Sequence, residues 1–427
     1  MHDAEVLVVG AGPAGSSVAF ALARAGVDVL MVDRATFPRP KPCAESLSPE
    51  ASRILANMDA LGEIEASGAA KLSGIRVHAP NGSVIAGDFV GAHGYKGSTP
   101  YGLSVRREVL DAVLLDRARR AGARVMERVR VTDVIRDDTN AAAGVNVLVA
   151  GEARELRARL IVGADGLRSI VARRLGLAHS YRWPRRIALV THYRGVSEVG
   201  DLGEMHVSRD GFVGIADVGN GLTTVALVVP ASRGREISAD RAAFLEQWLR
   251  SRASVGPRFA NAKRATPIVA TGPFAAHARR AWSSGAALIG DAADFFDPFT
   301  GQGIYSALRG GEMLAPRLCA ALKAPTASLA DRELAAYDKS RRREMAGKWF
   351  VERVVGAVVA RPSLINRAAR NLAARKDLAD LLIGVTGDFV PAREVVRLSY
   401  LWKVFGPTSR TVPVVPSRNG RVAEAAR

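Results

Sequence analysis

Cysteine is nearly missing from this chain: Cys43 and Cys319 are the only two in 427 residues. Two thiols cannot build a disulfide framework, so a reducing compartment is expected, the cytoplasm first. Histidine is sparse as well. The seven present are scattered, with no HxxxH or CxxC cluster, and no protein-bound metal is expected. No apolar run reaches 18 residues, so no segment is expected to span a membrane. Residues 4–9 are apolar apart from Glu5, an acid precedes them and a glycine turn follows, so no secretory signal is expected. Acidic residues are also in deficit, 42 against 60 Lys and Arg.

What is present describes a folded globular protein. Hydrophobic residues make up 48% of the chain, and the length suits one large domain or two connected ones. The net charge of +18 is uneven. Residues 338–427 hold 18 Lys and Arg against 8 Asp and Glu. A nucleic-acid partner would require a recognisable module or aromatics interleaved with the bases, and neither occurs. The basic surface suits anionic lipid or an anionic cofactor, or is a solvated arginine-rich face.

The most informative segment comes first. Residues 4–9 (AEVLVV) read as a buried parallel strand. Gly10-Ala11-Gly12-Pro13-Ala14-Gly15 follows, then a small-residue helix over 14–25 and a second strand from Val27 to Val32. Asp33, with Arg34 beside it, ends that strand. Gly10 permits the tight turn, Gly12 lets backbone approach a pyrophosphate, and Gly15 lets helix and sheet pack closely. The helix N-terminus offers unpaired N–H groups to phosphate, and Asp33 can accept hydrogen bonds from ribose hydroxyls. A lone GxGxxG is weak evidence. Set in a βαβ unit with the acid in place, it identifies a dinucleotide site, without separating NAD from FAD.

Further along, Ser48-Pro49-Glu50 starts a helix and Asn81-Gly82 turns a hairpin inside residues 72–90. Residues 107–121 form an amphipathic helix. Strands are expected at 123–135 and 144–161, and residues 160–163 deliver Ala164-Asp165-Gly166 to a turn. Strand-like runs at 187–194, 203–208, 212–218 and 222–229 precede a helix near 240–252. Residues 285–290 return as a buried strand ending at Asp291. Helices follow at 303–322 and 331–360, with more helix towards 395–405. The tail from about 407 reads as poorly ordered.

Four separated segments now match one group. They are the N-terminal fingerprint, Lys41-Pro42-Cys43, Gly163-Ala164-Asp165-Gly166-Leu167-Arg168-Ser169, and Gly290-Asp291-Ala292-Ala293 with Asp297-Pro298-Phe299-Thr300-Gly301-Gln302-Gly303-Ile304. Together they resemble the flavoproteins that include geranylgeranyl reductases, para-hydroxybenzoate-hydroxylase-type monooxygenases and flavin-dependent halogenases. The resemblance covers roughly residues 1–360. It implies an α/β fold: a Rossmann-like FAD-binding domain of glutathione-reductase type, an inserted antiparallel-sheet substrate domain and a helical C-terminal region. The implied FAD-binding parts are 1–75, 101–177 and 276–330. The substrate parts are 76–100 and 178–275, and a helical region with a basic tail covers 331–427.

The resemblance also assigns residues. Asp291 would bind the ribityl chain or a nearby phosphate. Pro298, Gly301, Gly303 and Ile304 would place the next helix N-terminus against the pyrophosphate or flavin, where it stabilises the charge of reduced flavin. Arg107 would reach the cofactor, with Arg106 as the neighbour that could take its place. Val131 would meet the adenine through its backbone, or is ordinary strand core. Asp165 and Gly166 belong to a motif tied to FAD and NAD(P)H handling. Cys43, Ala44 and Ser46 lie in a loop expected to touch the flavin.

The reaction is less defined. NAD(P)H is the expected donor, without a Rossmann domain of its own, since no second GxGxxG occurs. Lys41-Pro42-Cys43 resembles the reductases, although Ala44-Glu45-Ser46 departs from their glycine-rich continuation. Gln302 resembles the hydroxylases, where reductases more often have Glu. The expected activity is flavin monooxygenation of a lipophilic small molecule, polyketide, aromatic or isoprenoid. Reduction of a polyprenyl or quinone C=C bond is the alternative, and an electron-transfer partner the third. A halogenase ranks last, because no WxWxIP pattern occurs. No catalytic acid or base is assigned. A basic amphipathic helix around Trp349–Val359 suggests peripheral membrane contact, or a helix packed on the sheet. A monomer or homodimer is expected.

Overall fold

The computed structural model describes residues 2–180, 183 and 185–407. The expected disordered tail therefore lies outside the described residues, save Pro407. Residues Ala4–Val9 form a strand with Val6, Leu7 and Val8 fully enclosed. It pairs in parallel with Val29–Val32 on one side and with the end of Glu152–Gly163 on the other. Arg124–Met126 and Ala286–Leu288 extend the parallel ladder at its two ends. Continuous apolar runs are what a sheet covered on both faces requires. Each Val, Leu or Ile enclosed there contributes about 1.5–3 kcal/mol.

Helix Pro13–Arg24 covers this sheet and packs along helix Gly303–Lys323. The Ser17 hydroxyl donates to the Leu308 carbonyl at 2.9 Å. Gly311 allows that approach, since a Cβ there would lie 2.4 Å from the Ser17 oxygen. The two helices are therefore fixed side by side.

A second, mostly antiparallel sheet runs through Arg186–Arg194, Thr223–Pro230, Gly211–Asp217 and Leu202–Ser208. It continues through a parallel pairing into the hairpin Gly74–His78 and Val84–Asp88. Asn220-Gly221 turns the central hairpin, both residues having positive φ. The protein is thus a mixed α/β structure with a helical C-terminal region.

Two stretches differ from expectation. The strand expected at 144–161 is a hairpin, Ala142–Val149 and Glu152–Gly163, reversed at Ala150-Gly151, both in left-handed conformation. Within the expected helical region, residues 360–395 hold two helices that no pattern had placed individually, Pro362–Ala373 and Lys376–Thr386, each entered through an arginine. Their inward faces are mixed Ala, Leu and Ile, too short a pattern to stand out from the flanking arginines.

Candidate functional site

A cavity of about 230 Å³ lies between the two sheets. Four chain segments reach it: the glycine turn after the first strand, the loop at 41–46, the turn at 164–167 and the segment 290–307. Their convergence follows from the parallel ladder, whose strands Ala4–Val9, Glu152–Gly163 and Ala286–Leu288 all end at the same edge. Ligands of open α/β sheets bind at that carboxyl edge.

The three glycines of the turn have different surroundings. A Cβ on Gly10 would lie 2.4 Å from the Ala164 carbonyl oxygen, and its φ of 102° suits only glycine. A Cβ on Gly15 would lie 1.8 Å from the Gly10 oxygen. At Gly12 a Cβ would meet only the guanidinium ends of Arg39 at 3.5 Å and Arg107 at 3.9 Å. Gly10 and Gly15 are packed by the protein itself, and Gly12 faces the cavity.

Two helices begin at this cavity, Pro13–Arg24 and Gly303–Lys323, and neither has a side-chain cap. Their first N–H groups are left to another acceptor. Three cationic groups stand close by. Arg107 is buried and makes a bidentate pair with Asp111 at 2.8 and 2.8 Å, and Arg39 joins the same carboxylate at 3.2 Å. Burial disfavours the Arg107 charge, but the Asp111 carboxylate more than offsets it and holds its pKa above the ordinary value. Lys41 is half-buried and lines the cavity. Burial, and next the Arg107 charge, push its pKa down. Uncapped helix starts, an open glycine and one buried and two half-buried cations together fit the pyrophosphate of FAD.

Most of the expected contacts line this cavity. Gly12, Pro13, Ala14, Cys43, Ala44 and Ser46 do so from the N-terminal segments. Arg107, Gly166 and Asp291 do so from the middle. Pro298, Gly301, Gly303 and Ile304 complete that set at the start of the long helix. Gly10 and Gly15 stand behind the wall, as described. Asp33 braces the turn, accepting from the Ala11 N–H at 2.8 Å and the Ala35 N–H at 2.9 Å. Arg34 is exposed, and Arg106 pairs with Glu108 away from the wall. Val131 sits half-buried opposite Val147 at a bulge. The Asp165 carboxylate is occupied by the Ser169 hydroxyl at 2.6 Å and the Ile170 N–H at 2.6 Å, which starts helix Ile170–Arg174.

Three residues matter here to which the sequence assigned no role of their own. Lys41 entered only as part of a motif. Glu45 is a non-glycine residue in left-handed backbone, with a φ of 63°. Its carboxylate accepts from the Arg107 N–H at 2.9 Å and bonds His192 Nε2 at 2.7 Å, which ties the loop to the second sheet. Those two bonds offset a backbone cost of order 1 kcal/mol. Glu352, half-buried, lines the cavity from helix Ala327–Val359. Burial, then the carboxylates of Asp297, Asp294 and Asp388, push its pKa up to about 8. It is the only acid between Glu344 and Asp377, a signal available in the sequence.

Gln302 has a different job from the one its hydroxylase-like setting suggests. Its amide nitrogen donates to the Val385 carbonyl at 2.9 Å and to Asp388 at 2.8 Å. It anchors the helix Lys376–Thr386. The second sheet closes the cavity with apolar side chains, among them Val190, Met205, Phe212 and Val228. A separate cluster, His78, Glu204 and His206, has its ligand-type atoms within 4.8 Å of one another. Arg258 supplies the positive charge there, holding Glu204 at 2.7 and 3.1 Å.

Comparison with known proteins agrees with this geometry. The family model described as "FAD binding domain" matches residues 3–348. The digeranylgeranylglycerophospholipid reductase of Methanosarcina acetivorans is 29% identical over 352 residues, covering 80% of this chain and 81% of that one. A geranylgeranyl bacteriochlorophyll reductase-like structure from Thermoplasma acidophilum has a TM-score of 0.69 at 22% identity, covering 94% and 95%. The myxobacterial chondrochloren halogenase has a TM-score of 0.77 at 24% identity, covering 97% and 98%. The two structures share the fold; at these identities they carry no reaction with them. Among the described residues, no helix is long and apolar enough to cross a membrane.

Proposed function

This chain belongs to the FAD-binding-domain family, and from that premise we propose that it is an FAD-dependent reductase of carbon–carbon double bonds in a lipophilic, isoprenoid-like substrate. The observation that carries the reading is the similarity to digeranylgeranylglycerophospholipid reductases over four fifths of both chains. It moves oxygen insertion from first place to second. The residue that favoured hydroxylation, Gln302, has its amide engaged by Asp388 and Val385, so its identity reflects packing.

FAD held in the cavity would, when reduced, be the source of the hydride for one alkene carbon. The chain's own residues do the rest. Gly12, Lys41, Arg107 and the two helix starts hold the anionic dinucleotide. Val190, Met205, Phe212 and Val228 exclude water and accept an apolar chain. Glu352, protonated at neutral pH, holds a proton beside the cavity for the second alkene carbon. NAD(P)H is the donor proposed to restore the reduced cofactor.

The test is anaerobic. Protein reduced beforehand by NADPH or light is mixed with a geranylgeranyl lipid in the absence of oxygen, and flavin absorbance is followed. Re-oxidation that depends on the lipid supports the reading. A flavin that stays reduced with every prenyl lipid, yet re-oxidises with oxygen to a flavin-hydroperoxide absorbance, points to the monooxygenase.

A further inference from the structure

The C-terminal helices enclose a second cavity, of about 100 Å³, separate from the flavin site. Val351 and Val355 line it from the long helix, Ala368 and Leu372 from Pro362–Ala373, and Val77 and Ile85 from the hairpin of the second sheet. The residue with a polar tip, Tyr400, donates its hydroxyl to the Leu378 carbonyl at 3.0 Å. Water inside would find no partners, and cavities of this kind stay dry and take apolar guests.

The rim explains how a guest could arrive. Helix Leu398–Phe405 closes the cavity with Leu401, Val404 and Phe405. Its opposite face carries Leu398 and Trp402, one turn apart and 86% and 70% exposed. Phe350, also on the wall, is half in solvent. This helix is apolar on both faces, which a purely structural role does not require. Arg397 and Lys403 flank the exposed pair, and Arg367 reaches the Phe405 carbonyl at 3.5 Å. Residues 361–407 hold eight Lys and Arg against four Asp and Glu. Arg397 is paired with Glu394, so the match to an anionic bilayer surface rests on the apolar crown and on this net excess of positive charge around it.

We propose that this face docks on anionic membrane and that the cavity behind it receives the terminal carbons of one hydrocarbon chain of an anionic lipid. The two steps are connected by Phe350, which belongs to both rim and wall. The proposal does not depend on which reaction the flavin performs.

The experiment uses the full FAD-loaded chain with vesicles of phosphatidylcholine, alone or mixed with phosphatidylglycerol whose acyl chain carries a diazirine. Binding is read by co-sedimentation, and photolabelled peptides are mapped by mass spectrometry. Binding only to the mixed vesicles is expected, with label in residues 350–405. Leu398→Ser with Trp402→Ser should weaken co-sedimentation about tenfold. Ala368→Trp fills the cavity; it should keep both flavin and co-sedimentation while losing about nine tenths of the label. If that variant fails to hold FAD, Leu401→Trp at the mouth replaces it. Three results overturn the proposal: no vesicle binding, label unaffected by the filling variant, or a cavity that takes no label because the chain's own last residues hold it. None of these readouts needs turnover, so their failure is distinct from failure of the proposed reaction.

Discussion

On the parallel-sheet side of the cavity, the inward residues are small or charged: Gly12, Ala14, Lys41, Arg107 and Asp291. On the antiparallel-sheet side they are Val190, Met205, Phe212 and Val228. The first wall recognises its ligand with backbone and charge, and leaves almost no room for variation. The second recognises by shape and dryness, so many apolar side chains would serve.

The largest expected effect separates the glycines within the first wall. Gly15→Val places side-chain atoms against the Gly10 carbonyl, a clash the protein cannot relieve locally. It should yield little or no yellow protein. Gly12→Ala has space for its methyl and should fold, with FAD bound about tenfold to a hundredfold more weakly by fluorescence titration. Equal damage from both would break the assignment of Gly12 to the ligand and Gly15 to the fold.

A change in the opposite wall should do the reverse. Ala226→Phe, on the sheet face, should leave FAD affinity within about twofold and raise the KM for a prenyl substrate about tenfold or more. Loss of FAD from this variant would show that the walls are not independent. Lys41→Met tests the charged wall more gently. It should weaken FAD binding by about 1.5–3 kcal/mol without altering the melting temperature of the cofactor-free protein downward. An unchanged FAD affinity would remove Lys41 from the cradle.

The smallest effect concerns Glu352. Its carboxyl titrates near 8 in the folded chain against an ordinary 4.5. The native state therefore holds the proton across that window, and stability falls as pH rises through it. Glu352→Gln should flatten the decline and melt roughly 2–4 °C above the parent at pH 8, with little difference at pH 4.5. Parallel curves for the two proteins would show that Glu352 ionises normally.

Much of the first wall was legible because its logic is local. Strand, glycine turn, helix and acid follow one another within 33 residues, and each has a spacing the chemistry demands. Asp165 and Asp33 illustrate the limit even there, since both carboxylates also brace backbone turns. Glu45 and Glu352 were harder. Glu45 matters because His192, 147 residues away, meets it, and Glu352 because three other carboxylates converge on it. Gln302 misled for the same reason. Its role is set by Asp388, 86 residues distant. Within the expected helical region, the helix at 395–405 was placed, but Pro362–Ala373 and Lys376–Thr386 were not, because short Ala- and Arg-rich patterns carry little periodicity of their own.

The central claim, hydride delivery to an isoprenoid double bond, is tested most directly by the product. The FAD-loaded protein, NAD(P)D deuterated on the transferred position, and a geranylgeranyl lipid are incubated under oxygen-18 gas, and the lipid is weighed by mass spectrometry. The account predicts a gain of hydrogen across the double bond and no oxygen-18. A product that carries oxygen-18 with its double-bond count intact would contradict it.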